Sequence, residues 1–180
     1  MTPAEYIQLK AFARQDGALL ALLWVATFLL YIIGVSNQML GLAAVMLMCY
    51  TPFFVGERLG KFRDYGREGS ISFRRGYAYT VFVFFYGGVL FAIAQYLYFA
   101  YMDNGFLLSQ FSKMMNSDEA RQMLEQYGMT QMAAESLQEM ASIRPIDYAL
   151  NMLTVNIVIG LILGVPISLI KQRTKLNVEN

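Results

Sequence analysis

The chain has no histidine and one cysteine, Cys49, so neither a Ser-His-Asp nor a Cys-His nucleophile can be assembled. No disulfide can close within it, and no histidine or multi-cysteine metal site can be built. No glycine-rich phosphate loop with its lysine is present either. The polar residues that could still do something sit inside apolar stretches: Gln95, Asn151, Thr154 and Asn156. At membrane depth such side chains either hydrogen-bond between helices or line a polar path. Asp103, Arg144 and Asp147 are the acids and base a lipid-modifying enzyme would need at one membrane edge, but Pro145 with Asp147 reads more simply as a helix start. Met102, Met114, Met115, Met123, Met129, Met132 and Met140 gather in one segment. Thioethers suit Cu(I), yet an adaptable apolar surface resting on lipid or a partner accounts for the same residues. The expectation is therefore no catalytic residue, no cofactor and no metal.

The elements that carry these residues follow from where charge is missing. Residues 17–56, 76–102 and 148–170 hold no charged side chain. About 20 helical residues cross a hydrocarbon core of about 30 Å, so the first stretch accommodates two spans and the others one each. Hydrophobic residues make up 57% of the 180 and charged ones 15%, a balance that suits lipid as the main solvent. The spans are expected at about 17–33, 39–55, 76–101 and 147–170. Gly34-Val35-Ser36 mimics a signal-peptidase site, but the apolar run is longer than the roughly 7 to 15 residues of a signal core. The preceding Lys10 and Arg14 are also balanced by Glu5 and Asp16, so span one is read as retained. Thr2-Pro3-Ala4-Glu5 predicts a capped helix start, opening a short interfacial helix with Tyr6, Leu9 and Phe12.

The Gly34-to-Gln38 turn makes spans one and two antiparallel neighbours, and residues 57–75 read as a polar loop with turn glycines Gly60, Gly66 and Gly69. Ser70 or Ser72 is expected to cap span three. Residues 103–146 form the long polar segment, where Ser117 and Thr130 each open a short helix, interrupted at Gly128. The fold class is thus all-α, a four-helix transmembrane bundle in one integral membrane domain, with a helical extracytoplasmic hairpin between spans three and four. In span four Gly160 and Gly164 make a small-xxx-small ridge ahead of Pro166, and Gly87-Gly88 offers a second close approach in span three. Such ridges serve packing within the chain, a homo-oligomer or another membrane protein.

Lys and Arg fix the expected orientation. The N-terminus, the 57–75 loop and the tail carry eleven of them against six acids, and the opposite side carries three against seven. Both termini are expected in the cytoplasm. Tyr50, Tyr77 and Tyr79 are placed at the inner interface, and Tyr31, Tyr96, Tyr98 and Tyr101 near the outer one. Arg58, Lys61, Arg63, Arg67, Arg74 and Arg75 form a basic collar read as a topology determinant that touches anionic headgroups. Three interleaved acids argue against nucleic acid as a partner. Membrane lipid is the expected one.

Two short motifs, Glu68-Gly69-Ser70-Ile71-Ser72-Phe73 following Arg63, and Tyr96-Leu97-Tyr98 followed by Asp103 and Phe106, resemble those of the domain of unknown function 4199 family. That family consists of small four-span membrane proteins of Bacteroidetes-type bacteria, and the likeness extends over nearly the whole chain. It implies an inner-membrane location and, by the frequent proximity of members to membrane-associated glycosyltransferases, an accessory role; it carries no catalytic residue. Absence of charge inside the spans points the same way, to a non-enzymatic scaffold or accessory subunit. The alternative is a small oligomeric transporter or channel using Gln95, Asn151 and Asn156.

Overall fold

The computed structural model describes residues 2–173, so Lys175 of the expected basic tail lies outside them. The described residues form seven helices: α1 (Pro3–Gly34), α2 (Gln38–Gly66), α3 (Phe73–Tyr101), α4 (Phe106–Met115), α5 (Asp118–Gln126), α6 (Thr130–Ser142) and α7 (Pro145–Lys171). Helices α1, α2, α3 and α7, of 32, 29, 29 and 27 residues, are long and apolar enough to cross a membrane. At 1.5 Å per residue they reach about 40 to 48 Å, beyond the ~30 Å of hydrocarbon, so each has length to spare for a polar extension. The architecture is the expected all-α four-helix bundle.

Two compact units are present, one running to Ile93 and resuming at Asn151, the other Ala94–Leu150. In the first, α1 opens with the predicted capping box: Glu5 N donates to Thr2 Oγ1 (3.3 Å) and Thr2 N donates to Glu5 Oε2 (2.8 Å). There is no separate interfacial lead-in. The helix runs unbroken into the span, and Leu9 and Ala13 are buried against the bundle because they share a stripe with Leu20. Asn37 caps α2, its Oδ1 accepting from Met39 N at 3.1 Å. The turn is tight enough that a methyl on Gly34 would lie 2.5 Å from Gly41 N, so only glycine fits there.

The expected 57–75 loop is mostly helix. Residues 57–66 extend α2, leaving only 67–72 as a connection that turns at Gly69 (φ +79°). Ser72 immediately precedes α3, and its carbonyl accepts from Gly76 N at 3.0 Å. Gly60, expected in a turn, is inside α2 with nothing within 4 Å of where its Cβ would be. Gly60→Ala should therefore stabilise the protein by about 0.5 to 1 kcal/mol through helix propensity alone, read as a higher unfolding midpoint in detergent. A lower midpoint would show that the space is not free.

Helix α3 lies between its neighbours. On one side Gly87 meets Gly17 O and Leu20 of α1, and on the other Gly88 faces Leu153 and Asn156 of α7. Trp24 of α1 packs on Phe84 and Phe91 of α3 and donates its indole N–H to Thr51 of α2 at 3.1 Å. Outward faces carry Leu22, Leu42, Met46, Phe53 and Ile162 exposed, which is tolerable where lipid is the solvent.

In the second unit the expected pair of helices, α5 and α6, is present, with Ser117 Oγ accepting from Ala120 N (3.3 Å) and Gly128 at φ +65° between them. A third helix, α4, precedes them, capped by Asp103, whose carboxylate accepts from Gly105 N and Leu107 N (3.1 and 3.2 Å). Thr130 is the first residue of α6, not its cap, because Met129 already occupies that position.

Candidate functional site at the basic end of the bundle

At the end of the first unit where α1 and α3 begin and α2 and α7 finish, charged side chains converge inside the bundle. The hairpin of α1 and α2 sets this up. Its turn near Asn37 places Gln8 beside Gly66, Phe12 beside Phe62 and Asp16 beside Arg58, residue numbers that each sum to 74. Asp16 is 3% exposed. Its Oδ1 accepts from Arg58 Nε at 2.5 Å and also pairs with Arg58 Nη2, while its Oδ2 accepts from the Tyr79 hydroxyl of α3. One carboxylate therefore ties three helices. Tyr79 is fully buried and stacks on Phe62 at 4.8 Å, which corrects its placement among the interfacial tyrosines. A ring so enclosed reaches Asp16, not headgroups.

Around this centre the collar folds onto the chain's own acids. Glu5 accepts from Arg67 Nη2 (3.0 Å) and Arg75 Nη2 (2.5 Å), joining α1 to the 67–72 connection and α3. Arg63 grips Asp64 with two hydrogen bonds (2.7 and 3.0 Å) and donates Nη1 to Lys171 O (3.1 Å), capping the last turn of α7. Beyond it Ile71 and Arg173 exchange two backbone hydrogen bonds (2.9 and 3.0 Å). Lys61 pairs with Glu57 one turn away on the surface, and Arg74 is exposed. Most of the expected headgroup-binding collar is therefore an interhelical clamp. Desolvated guanidinium groups need carboxylates within reach, and the helices supply them.

The expectation that no span brings an ionised group into the bundle is overturned by Asp16. The charge pattern puts it just ahead of span one, but α1 continues through it and the pairing with Arg58 and Tyr79 makes its burial tolerable. The signal was available: Asp16 and Arg58 carry opposite charges at the two ends of a charge-free hairpin whose turn makes them neighbours.

The polar-path candidates do not share one environment. Asn156 is buried against Gly88, whereas Asn151 and Thr154 are exposed on α7; Gln95, in the other unit, is buried. Gly160 and Gly164 face α3, where a methyl on Gly160 would lie 2.5 Å from Phe84 Cβ and one on Gly164 3.1 Å from the Tyr77 ring. In the Ala94–Leu150 unit Asp103 caps α4 and is hydrogen-bonded by Tyr98, while Arg144 grips Asp147 through two bonds (2.8 and 3.0 Å) on the exposed first turn of α7. Each of these acids is engaged by a structural partner. Five of the seven clustered methionines, Met102, Met114, Met123, Met129 and Met132, are exposed.

Four apolar helices joined by a buried charge cluster define a multi-pass membrane protein. The family described as Protein of unknown function (DUF4199) matches residues 15–173, and the chain belongs to it. No curated protein and no solved structure matches the chain.

Proposed function

We propose that this protein is a non-catalytic scaffold or accessory subunit of a bacterial inner membrane, with both termini in the cytoplasm. The observation that carries the reading is that ionised groups of the bundle are spent on each other: Asp16 on Arg58 and Tyr79, Glu5 on Arg67 and Arg75, Arg63 on Asp64 and the end of α7. Ion-coupled transporters and membrane enzymes need a charged group that meets a substrate or a moving proton. The glycine contacts of Gly17 and Gly160 bring α1 and α7 close against α3, the tight helix packing that a docking platform uses. Lipid, a second copy and a membrane protein are its candidate partners, and a membrane-associated glycosyltransferase is the class that the family likeness suggests.

Affinity purification of the tagged full chain in mild detergent, followed by identification of co-purifying proteins, tests this. Recovery of a stoichiometric membrane-protein partner is the expected result. Recovery of the chain alone, together with solute flux in proteoliposomes, would favour a transporter instead.

A further inference from the structure

Helices α3 and α7 meet along an antiparallel seam with a four-residue repeat on both sides. Gly76 faces Ser168, Thr80 faces Gly164, Phe84 faces Gly160 and Gly88 faces Asn156, pairs whose numbers each sum to 244. In this register three polar atoms on the seam are enclosed without a hydrogen-bond partner: Thr80 Oγ1, Ser168 Oγ and Asn156 Nδ2. Thr80 and Ser168 are essentially fully buried, at 0% and 1% exposure. Buried hydroxyls are ordinarily paired, so two on one seam need a reason.

Sliding α7 by one turn, about 6 Å, supplies it. In one direction Thr80 comes opposite Ser168, Phe84 opposite Gly164, Gly88 opposite Gly160 and Ala92 opposite Asn156. The two hydroxyls then face each other, and Phe84 again has a glycine to pack on. In the other direction Phe84 would be driven onto Asn156 in the middle of the seam, whereas the first brings a larger side chain, Gln172, only onto Gly76 at its end, so the repeat favours one slide over its reverse. We infer that the α3–α7 seam has two registers, and that the contacts at the basic end hold it in the one described. Those contacts are the Arg63 hydrogen bond to Lys171 O and the two backbone bonds between Ile71 and Arg173, all of which the slide breaks. One-turn ratchets between packed elements are an established form of two-state switch. This inference does not depend on the scaffold reading.

Cysteine pairs in the full-length chain, in membranes and with Cys49→Ser, distinguish the registers. Gly76→Cys with Ser168→Cys reports the described one, since the position 76 Cβ would lie 3.4 Å from Ser168 Cβ, close to disulfide spacing. Ala92→Cys with Asn156→Cys reports the shifted one and leaves the Thr80 and Ser168 hydroxyls in place. Under a mild oxidant the first pair should cross-link readily and the second to a smaller extent. Adding Arg63→Ala should raise the yield of the second relative to the first roughly 5- to 30-fold, the effect of losing one latch hydrogen bond. Cross-linking of the first pair alone, with or without Arg63, would overturn the second register. Failure of both pairs in a chain that still purifies as a folded species would overturn the seam itself, and a second-pair yield indifferent to Arg63→Ala would overturn the latch.

Discussion

Arg58→Met is expected to cost about 3 kcal/mol, because it leaves the enclosed Asp16 carboxyl group with only the Tyr79 hydroxyl as a partner. The figure is placed at the low end of the range for a broken buried pair because the Arg58 side chain is 21% exposed and water can partly replace it. Asp16→Leu combined with Arg58→Met should recover more than half of that loss, since replacing both charges by apolar groups of similar size removes the desolvation penalty with the attraction. Unfolding of single and double variants in mixed micelles gives the coupling directly. Additive losses in the double variant would mean that Asp16 and Arg58 do not act as a pair.

Gly160→Ala carries the second large effect. Its new methyl would lie 2.5 Å from Phe84 Cβ, an atom fixed to the α3 backbone, so α7 must back away from α3. A loss of about 2 to 3 kcal/mol follows from such overpacking. Gly164→Ala, whose methyl meets the edge of the Tyr77 ring at 3.1 Å and Thr80 Cγ2 at an ordinary 3.6 Å, should cost under about 1 kcal/mol, because the Tyr77 side chain can swing aside. Equal effects of the two substitutions would show that the close approach at Phe84 is not rigid.

Both results bear on what the sequence revealed. The spans are legible because charge is excluded from hydrocarbon over lengths that match the bilayer, and the caps at Thr2 and Ser117 follow local hydrogen-bonding rules. What a charge count conceals is pairing. Asp16 and Arg58 looked like flanks of a span because each, taken singly, is a charge that lipid rejects; only the register of the hairpin shows that they neutralise each other. The helical stretch from Glu57 to Gly66 reads as loop for the same reason, since its charges and two glycines resemble a turn until its packing on α1 is known. Helix α4 is not legible because the carboxylate that serves its first turn, Asp103, lies three residues ahead of the helix, and the positive φ of Asn104 and Gly105 lets the chain turn back onto it. The glycine ridges, by contrast, could be found but not assigned: spacing alone does not say whether the facing helix belongs to the same chain.

The proposed topology has four crossings, with the start of α1 and the end of α7 on one side of the membrane. Single cysteines introduced into a Cys49→Ser background at Ser36, Ser70 and Gln126, probed with an impermeant maleimide on intact cells, test it most directly. The account predicts labelling of Ser36→Cys and Gln126→Cys from outside, and of Ser70→Cys only after permeabilisation. Labelling of the 36 and 70 positions from the same side would mean that α2 does not cross the membrane, and the bundle described here would be contradicted.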